Sequence, residues 1–150
     1  MTIAEAQALV DRVRTSGRTV VFTNGVFDLL HVGHLRYLQQ ARALGDALIV
    51  GLNSDRSVRA NKGPSRPVTP EAERAEILEA LACVDAVVVF DQETLHELIA
   101  ALQPDVLVKG ADYTMETVVG ADLVKSYGGR VVLAELLPGH STSATVAKLK

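Results

Sequence analysis

The chain has 150 residues, of which 48% are apolar and 22% are charged, and its formal net charge at neutral pH is −3. A chain of this length is expected to form one domain, residues 1–150, whose core needs neither disulfides nor metals, and the negative charge argues against a nucleic-acid partner. A single cysteine, no signal peptide and no apolar run of about 18 residues predict a protein of the reducing cytoplasm that does not enter a membrane.

Predicted strands and helices alternate along the chain. Thr2 and Glu5 form a capping-box pattern ahead of a predicted helix over residues 3–15. Further helices are predicted near 34–44, 70–82, 94–102 and 116–127 and from 142, and strands near 19–23, 47–52, 86–90, 105–108 and 130–134. This alternation predicts right-handed β-α-β units and an α/β, Rossmann-like fold, an open parallel five-stranded sheet with helices on both faces.

The most informative part of the chain follows the first predicted strand. That strand enters a turn at Asn24-Gly25, and leucine and alanine residues at three-residue steps predict a helix that begins near residue 32 or 33. A helix start presents unpaired N–H groups and the positive end of the helix dipole, which both attract anions. His31 and His34 share one face of such a helix, and Gly33 leaves the backbone open to a ligand. This corner is predicted to hold phosphates.

The histidine pair has two other interpretations. Both residues could simply cap the helix, or they could hold zinc. Zinc is the weaker interpretation, because a site needs three or four ligands and Cys83, the only cysteine, has no partner at a ligand spacing.

The run from Gly25 to His34, which ends in His-x-Gly-His, resembles the signature of the nucleotidyltransferase superfamily. This superfamily includes the cytidylyltransferases, pantetheine-phosphate adenylyltransferase and the class I aminoacyl-tRNA synthetases. Further matching blocks are Asn53-Ser54-Asp55, Lys62-Gly63-Pro64-Ser65-Arg66-Pro67-Val68, Leu107 to Tyr113, and Ser141-Thr142-Ser143. Together the blocks most resemble the branch that makes ADP-heptose, and they imply the nucleotidyltransferase α/β phosphodiesterase fold.

All of these blocks follow predicted strands and should meet at the edge formed by the strands' carboxyl ends, where open parallel sheets bind ligands. The segment from Asn53 to Pro67 is predicted to be a mobile, basic loop without a long helix. Its cations suit phosphorylated substrates, although Arg56 and Arg59 could equally be solvated. Lys62 and Arg66 match the family's Lys-Gly-x-x-Arg-Pro-Val pattern.

The resemblance implies a role for each block. His31, His34 and Lys62 would be catalytic and stabilise charge on a triphosphate. Nucleotide contacts are implied for Thr23, Asn24, Gly25, Phe27, Gly33, Arg66, Lys109, Gly110, Asp112, Ser141, Thr142 and Ser143. Asp28, Asn53 and Asp55 would face a sugar phosphate or order the loops around it. Simpler explanations stay open for some of them: Asp55 could be a turn residue, and Asp112 and the Ser141–Ser143 run could be helix caps.

The implied reaction transfers AMP from ATP to a sugar 1-phosphate, D-glycero-β-D-manno-heptose 1-phosphate, and releases pyrophosphate. Direct in-line attack is predicted, because the residues offer no convincing nucleophile and base pair. Mg²⁺ would arrive with ATP and need no metal site of its own on the protein. The resemblance further implies a separate sugar kinase, a homodimer, and a role in surface polysaccharide or lipopolysaccharide synthesis.

Two other functions stay open. One is a CTP-dependent cytidylyltransferase that acts on glycerol 3-phosphate or a similar small phosphate. The chain has Leu137-Pro138-Gly139-His140 where the glycerol phosphate enzymes have Arg-Thr-Glu-Gly, and this departure favours ATP. The other is a non-catalytic module that binds a nucleotide, against which His31, His34 and Lys62 all count.

Overall fold

The computed structural model describes residues 1–110 and 118–134. Its strands are β1 (Val20–Gly25), β2 (Ala47–Asn53), β3 (Ala86–Phe90), β4 (Val106–Gly110) and β5 (Arg130–Ala134). They form one parallel sheet in the order β3-β2-β1-β4-β5. The predicted five-stranded parallel sheet is confirmed. The chain changes direction across the sheet between β1 and β4, which makes the carboxyl ends of these two strands the expected place for a ligand.

The α-helices among the described residues are α1 (Ile3–Thr15), α2 (Val32–Arg42), α3 (Asp55–Lys62), α4 (Glu71–Glu79), α5 (Leu95–Leu102) and α6 (Ala121–Ser126), and a short 3₁₀ helix spans Gln92–Thr94. Apart from α3, each lies within or close to a predicted helix. The capping box of α1 is confirmed: the Glu5 N–H donates to Thr2 Oγ1 at 3.1 Å, and the Thr2 N–H donates to Glu5 Oε1 at 3.0 Å. The helix predicted from residue 142 lies outside the described residues.

Apolar residues cover both faces of the sheet. Phe22, Ile49 and Leu107 face a core shared with α1, α5 and α6. Val21 and Leu48 face the opposite core, which α2 and α4 complete. Neighbouring residues of a strand point to opposite faces, so a strand buried on both sides needs an unbroken apolar run. This arrangement confirms the predicted helices on both faces and leaves the strand ends as the place for polar residues.

The segment after β2 corrects one prediction. The sequence predicts a loop from Asn53 to Pro67, but eight of these residues form α3. The helix begins because the Ser54 side chain caps it, with Oγ accepting the Ser57 N–H at 3.2 Å. It ends at Gly63, whose φ of 95° is a conformation that glycine adopts without strain. The basic composition of the segment favours a solvated loop, although Ser54 is a signal for the start of a helix.

None of the helices in residues 1–110 and 118–134 is both long enough and apolar enough to cross a membrane.

Candidate active site

A cavity of about 580 Å³ opens where β1, β2 and β4 end. Its lining combines four carboxamide side chains, two lysines and a smaller apolar part, from Asn24, Gly25, Val26, Asn53, Val58, Asn61, Lys62, Gln92, Leu95, Lys109 and Val119. Carboxamides donate and accept hydrogen bonds, and lysine ammonium groups donate them to anions. The lining therefore suits a ligand that carries both hydroxyl groups and phosphate.

Five of the residues predicted to bind substrate meet in this cavity. They are Asn24, Gly25, Asn53, Lys62 and Lys109. Lys109 is 9% exposed, and its Nζ donates to the Asn24 carbonyl oxygen at 2.7 Å. This bond joins the ends of β4 and β1, the two strands between which the topology switches. The ammonium group thus brings a buried positive charge to the wall of the cavity.

His31 and His34 cap the start of α2 in a reciprocal arrangement. The Gly33 N–H donates to His31 Nδ1 at 3.0 Å, and the His31 N–H donates to His34 Nδ1 at 3.2 Å. The two rings lie 4.1 Å apart between centroids. Because each Nδ1 accepts a backbone N–H, a neutral ring carries its proton on Nε2. The cap therefore leaves each imidazole able to donate from Nε2, as an anion would require.

The surroundings of His34 favour its neutral form. Burial, followed by the nearby charge of His31, lowers the pKa of His34 to about 4, while the Asp28 carboxylate opposes this shift. The imidazole is therefore neutral at physiological pH, in the protonation state that the cap requires. These histidines do not line the cavity, but they lie five and eight residues after Val26, which does.

The backbone between the cavity and α2 is unusual. Phe27 and Leu29 have φ values of 49° and 50°, in the left-handed region that residues with a side chain rarely adopt. The buried Phe27 ring lies 5.8 Å from the His34 ring between centroids, and a Cβ on Gly25 would lie only 3.0 Å from Phe27 Cε2. A side chain at position 25 would therefore crowd the Phe27 ring.

Asp28 anchors the loop that follows α3. Its side chain is fully buried and accepts the N–H groups of Val68 at 2.7 Å and Thr69 at 2.9 Å, and Arg66 Nε at 3.4 Å. Burial alone would raise the pKa of Asp28, but the hydrogen bonds from Val68, Thr69 and Arg66 outweigh it and hold the pKa below the ordinary value of an aspartate. The carboxylate thus orders this loop, and its contact with a sugar phosphate stays a prediction.

Thr23 is turned away from the cavity. Its Oγ1 shares a hydrogen bond of 2.6 Å with the Tyr37 hydroxyl and donates to the Val108 carbonyl at 2.8 Å. The side chain fastens β1 to α2 and β4. A nucleotide contact by Thr23 stays a prediction, as do those of Phe27, Gly33, Arg66 and Gly110.

A second set of predicted residues is tied into the surrounding structure or is not described. The Asp55 carboxylate lies 2.7 Å from Arg74 Nη2, and Arg56 pairs with Asp91 at 3.0 Å and with Glu93. Asp112, Ser141, Thr142 and Ser143 lie outside the described residues. Residues 1–110 and 118–134 contain no group of three or more His, Cys, Asp or Glu side chains that could hold a metal.

Sequence reasoning missed Arg74, Gln92 and Asn61. Arg74 is 1% exposed and bonds to several walls of the cavity. A signal for it exists in the sequence, because Arg74 lies four residues before Leu78, on the apolar face of the predicted helix. Gln92 and Asn61 carry no such signal, since either could equally be a surface amide.

Taken together, the site can bind an anion and a polar, hydroxylated group side by side. The start of α2 offers two imidazoles, the end of α3 offers Lys62, and the cavity that Lys62 lines is rich in carboxamides. The described wall of the cavity contains no serine, threonine, cysteine, aspartate or glutamate. Such a site favours alignment and charge stabilisation of bound reactants over a covalent enzyme intermediate.

Curated proteins resemble the chain over nearly its whole length. The bifunctional protein HldE of Syntrophotalea carbinolica is 64% identical over 136 residues, which cover 91% of this chain and 28% of that protein. HldE of Acidiphilium cryptum is 59% identical over 150 residues, which cover 100% of this chain and 31% of that protein. The chain thus spans less than a third of the length of these relatives.

Solved structures share the fold. The crystal structure of the lipopolysaccharide core biosynthesis protein from Thermoplasma volcanium GSS1 has a TM-score of 0.66 and 28% sequence identity, and the match covers 81% of this chain and 98% of that one. Pantoate-beta-alanine ligase from Francisella tularensis, with a TM-score of 0.68 and 16% identity, shares the fold over 99% of this chain and 72% of its own. A family model described as cytidylyltransferase-like matches residues 22–146. The chain belongs to the cytidylyltransferase-like family.

Proposed function

We propose that the chain transfers AMP from ATP to D-glycero-β-D-manno-heptose 1-phosphate, forming ADP-heptose and pyrophosphate. The observation that carries this proposal is the meeting of three strand ends in one cavity beside the histidine cap of α2. The resemblance of the chain to ADP-heptose-forming transferases and its likeness to a lipopolysaccharide core biosynthesis protein support the choice of sugar. The chemistry of the cavity supports the class of acceptor.

The cavity wall fits a sugar phosphate better than a purely anionic ligand. Asn53 Nδ2 donates to Gln92 Oε1 at 3.0 Å, which leaves the Gln92 amide group to donate to a hydroxyl. Asn24 and Asn61 add further carboxamides, and Lys62 supplies a cation at the end of α3. In our proposal these amides bind the sugar hydroxyls, and the lysines bind phosphate.

The transfer step needs no enzyme nucleophile. A phosphate oxygen of the sugar 1-phosphate attacks the α-phosphorus of ATP and forms the new P–O bond. The bond from the α-phosphorus to the oxygen that bridges to the β-phosphate breaks in line with it, and pyrophosphate leaves with the electron pair. The attacking phosphate is already ionised, so no general base is required. Mg²⁺ bound with ATP would neutralise part of the triphosphate charge.

The residues of the chain act by charge and alignment. Nε2–H groups of His31 and His34 would donate to phosphate oxygens as negative charge builds up, and Lys62 would neutralise the triphosphate. Because the rings are already fixed by their Nδ1 bonds, little reorganisation is needed at the moment of transfer. Asp28 and Arg66 keep the loop after α3 closed against the corner.

The relatives are named bifunctional, and the chain spans less than a third of their length, so we assign only the transfer step to it. A sugar 1-phosphate must first be made by phosphorylation of the sugar. We therefore propose that a sugar kinase activity, on another part of the protein or on a separate one, precedes this reaction.

The test is a substrate panel. The purified chain is incubated with Mg²⁺, each of ATP and CTP, and each of D-glycero-β-D-manno-heptose 1-phosphate, its α anomer, glucose 1-phosphate and glycerol 3-phosphate, while pyrophosphate is followed. We expect pyrophosphate release with ATP and the β-heptose phosphate, together with a product that has the mass of ADP-heptose. The His34→Gln variant serves as the control that ties the activity to this site.

Two results would overturn the proposal, and each would favour a different function. Pyrophosphate release with CTP and glycerol 3-phosphate alone would make the chain a cytidylyltransferase. Binding of ATP by calorimetry with no pyrophosphate from any acceptor would make it a nucleotide-binding module.

A further inference from the structure

A buried arginine connects the separate walls of the cavity. Arg74 lies in α4 and is 1% exposed. Its Nη1 donates to the Val26 carbonyl at 2.6 Å and to the Asn53 carbonyl at 2.9 Å, and its Nε donates to the Thr69 carbonyl at 2.8 Å. Its Nη2 donates to Asp55 Oδ1 at 2.7 Å. One guanidinium therefore fixes four chain segments.

Three of these segments form the cavity wall. Val26 and Asn53 line the cavity themselves. Asp55 is the first residue of α3, and the cavity-facing residues of that helix, Val58, Asn61 and Lys62, follow it. A helix is stiff and rises 1.5 Å per residue, so a shift at Asp55 is transmitted over roughly 10 Å to Lys62.

A second contact strengthens the same junction. The Asp55 N–H donates to Glu71 Oε1 at 2.9 Å. Two residues of α4 therefore bond to Asp55: Glu71 to its backbone and Arg74 to its side chain. Thr69, which accepts from Arg74, also donates its N–H to Asp28. The loop after α3 is thus held between Arg74 on one side and Asp28 on the other.

Stability alone explains this arrangement poorly. Removing a charged pair from water is costly, and well-packed apolar residues often replace a buried ion pair at no loss of stability. Arginine offers five donors in a fixed planar fork, whereas lysine offers a single rotating ammonium group. Only the fork can hold the carbonyls of Val26 and Asn53 and the Asp55 carboxylate at fixed mutual distances.

We propose that Arg74 is a positioning residue for the transfer reaction, which sets Lys62 at the end of α3 relative to the corner after β1. The inference rests on the proposed function for its activity readout. Arg74 does not line the cavity, so it acts through other residues and not on the substrate. Its effect on turnover should therefore depend on the presence of Lys62.

The test is a double-mutant cycle of Arg74→Lys and Lys62→Ala, read out as kcat/KM for ATP. Arg74→Lys keeps the charge but loses the fork. In the chain with Lys62 we expect it to lower kcat/KM about 10²-fold, which is typical of a remote misplacement of about 1 Å. In the Lys62→Ala background, the fall in kcat/KM that Arg74→Lys causes should be smaller by about tenfold or more, because the side chain that Arg74 positions is no longer present.

Arg42→Lys is the matched control. Arg42 also pairs with a carboxylate, Asp85, at 3.3 Å, and donates to the Gly45 carbonyl at 2.7 Å, but it lies at the end of α2, away from the cavity. We expect kcat/KM in this variant to stay within about twofold of the unaltered chain. If Arg74→Lys fails to fold, Asp55→Asn, which removes the charge but keeps an acceptor oxygen, takes its place in the same cycle.

The outcomes separate the two proposals. An unaltered chain that releases no pyrophosphate overturns the proposed function. An active chain in which the Arg74→Lys loss shrinks by less than about tenfold without Lys62 overturns the positioning role and leaves the function intact.

Discussion

The corner after β1 (residues 26–34) and the segment after β2 (residues 54–69) present their polar groups to neighbouring parts of the same edge of the sheet. The two regions are held in place in different ways. In the corner, the contacts that fix the imidazoles are local. His31 Nδ1 accepts the N–H of Gly33, two residues away, and His34 Nδ1 accepts the N–H of His31, three residues away. In the segment, α3 and the loop behind it are fixed mainly by distant residues: Asp28 accepts the Val68 and Thr69 N–H groups from 40 and 41 positions away, and Arg74 pairs with Asp55 from 19 positions away. One region is ordered by itself and the other by distant buried charges.

This difference predicts that damage will spread differently in the two regions. A change in the corner should remove a chemical group with little effect beyond the first turn of α2. A change in the anchors of the segment should disturb several walls of the cavity together and lower stability as well as activity.

The largest effect is expected in the corner, where imidazole and cap can be separated. His31→Asn keeps an oxygen that can accept the Gly33 N–H but removes the ring, so we expect kcat to fall by about 10²–10³ with little loss of stability. His31→Ala should lose the same activity and a further ~1 kcal/mol of stability. Pyrophosphate release and urea unfolding measure the two effects.

Thr2→Ala is the control for the cap, since Thr2 caps α1 away from the site. It should cost similar stability and leave kcat unchanged. If His31→Asn kept near-normal kcat, the imidazole would have no chemical role.

The next effect is expected at the buried anchor of the segment. Asp28→Asn places an amide among the three donors that the carboxylate accepts and leaves Arg66 without its anion. We expect a loss of about 3 kcal/mol in the free energy of unfolding by urea, because removing one member of a buried ion pair leaves the other charge buried without compensation. A loss no larger than that of the exposed Asp122→Asn would show that the loop does not depend on Asp28.

A smaller effect is expected at the cation that the segment carries. Lys62→Ala should lower kcat/KM for ATP by roughly 10- to 10²-fold, the range for a lost hydrogen bond to a charged group. Arg59→Ala is the matched control, because Arg59 lies on the same helix, carries the same charge and does not line the cavity. Equal losses in the two variants would mean that only the overall charge of α3 matters.

The pH dependence of stability sharpens the comparison further. His34 takes up a proton near pH 6.5 in the unfolded chain but only near pH 4 in the folded one. Between these two pH values the unfolded chain therefore binds more protons than the folded chain. The contribution of neutral His34 to the free energy of unfolding is complete above about pH 6.5 and is lost as the pH falls toward about 4. Protonation also competes for the Nδ1 that accepts the His31 N–H.

Urea unfolding at about pH 7 and about pH 4.5 measures this loss. We expect it to be smaller in His34→Gln, which does not titrate and whose side-chain oxygen can accept the same N–H. His96→Gln, at an exposed position of α5, should behave like the unaltered chain. Equal losses in all three proteins would contradict the buried, neutral state of His34.

The smallest effect is expected on the far side of the cavity. Gln92→Leu removes the partner of Asn53 and a donor for a sugar hydroxyl, so the KM for the sugar 1-phosphate should rise roughly 2- to 10-fold while the KM for ATP stays constant. Gln40→Leu, at an exposed position of α2, is the control. A rise in the KM for ATP alone would assign this wall to the nucleotide.

The same contrast explains what the sequence could predict. The sheet, the helices on its faces and the start of α2 follow from apolar periodicity and from the local pattern around His31 and His34, all of which act over a few residues. The α3 helix does not follow from the same patterns, because the basic residues between Ser54 and Gly63 are as typical of a solvated loop as of a helix, although Ser54 is an ordinary helix cap.

The anchoring charges were beyond local reasoning. The pairing of Arg74 with Asp55, or of Asp28 with the Val68 N–H, is fixed only when β1, β2 and α4 have come together. The resemblance implies for Asp28 either a contact with the sugar phosphate or the ordering of nearby loops. A charged residue is far more often exposed than buried, so nothing local in the sequence decides between these two roles.

The most direct test of the account is a crystal structure of the chain with bound ADP-heptose. We expect the pyrophosphate bridge at the start of α2, within hydrogen-bond reach of His31 and Lys62, and the heptose in the carboxamide-lined cavity, against the Asn53–Gln92 pair. A product bound at another face of the sheet, with the cavity empty and His31 distant from every phosphate oxygen, would contradict it.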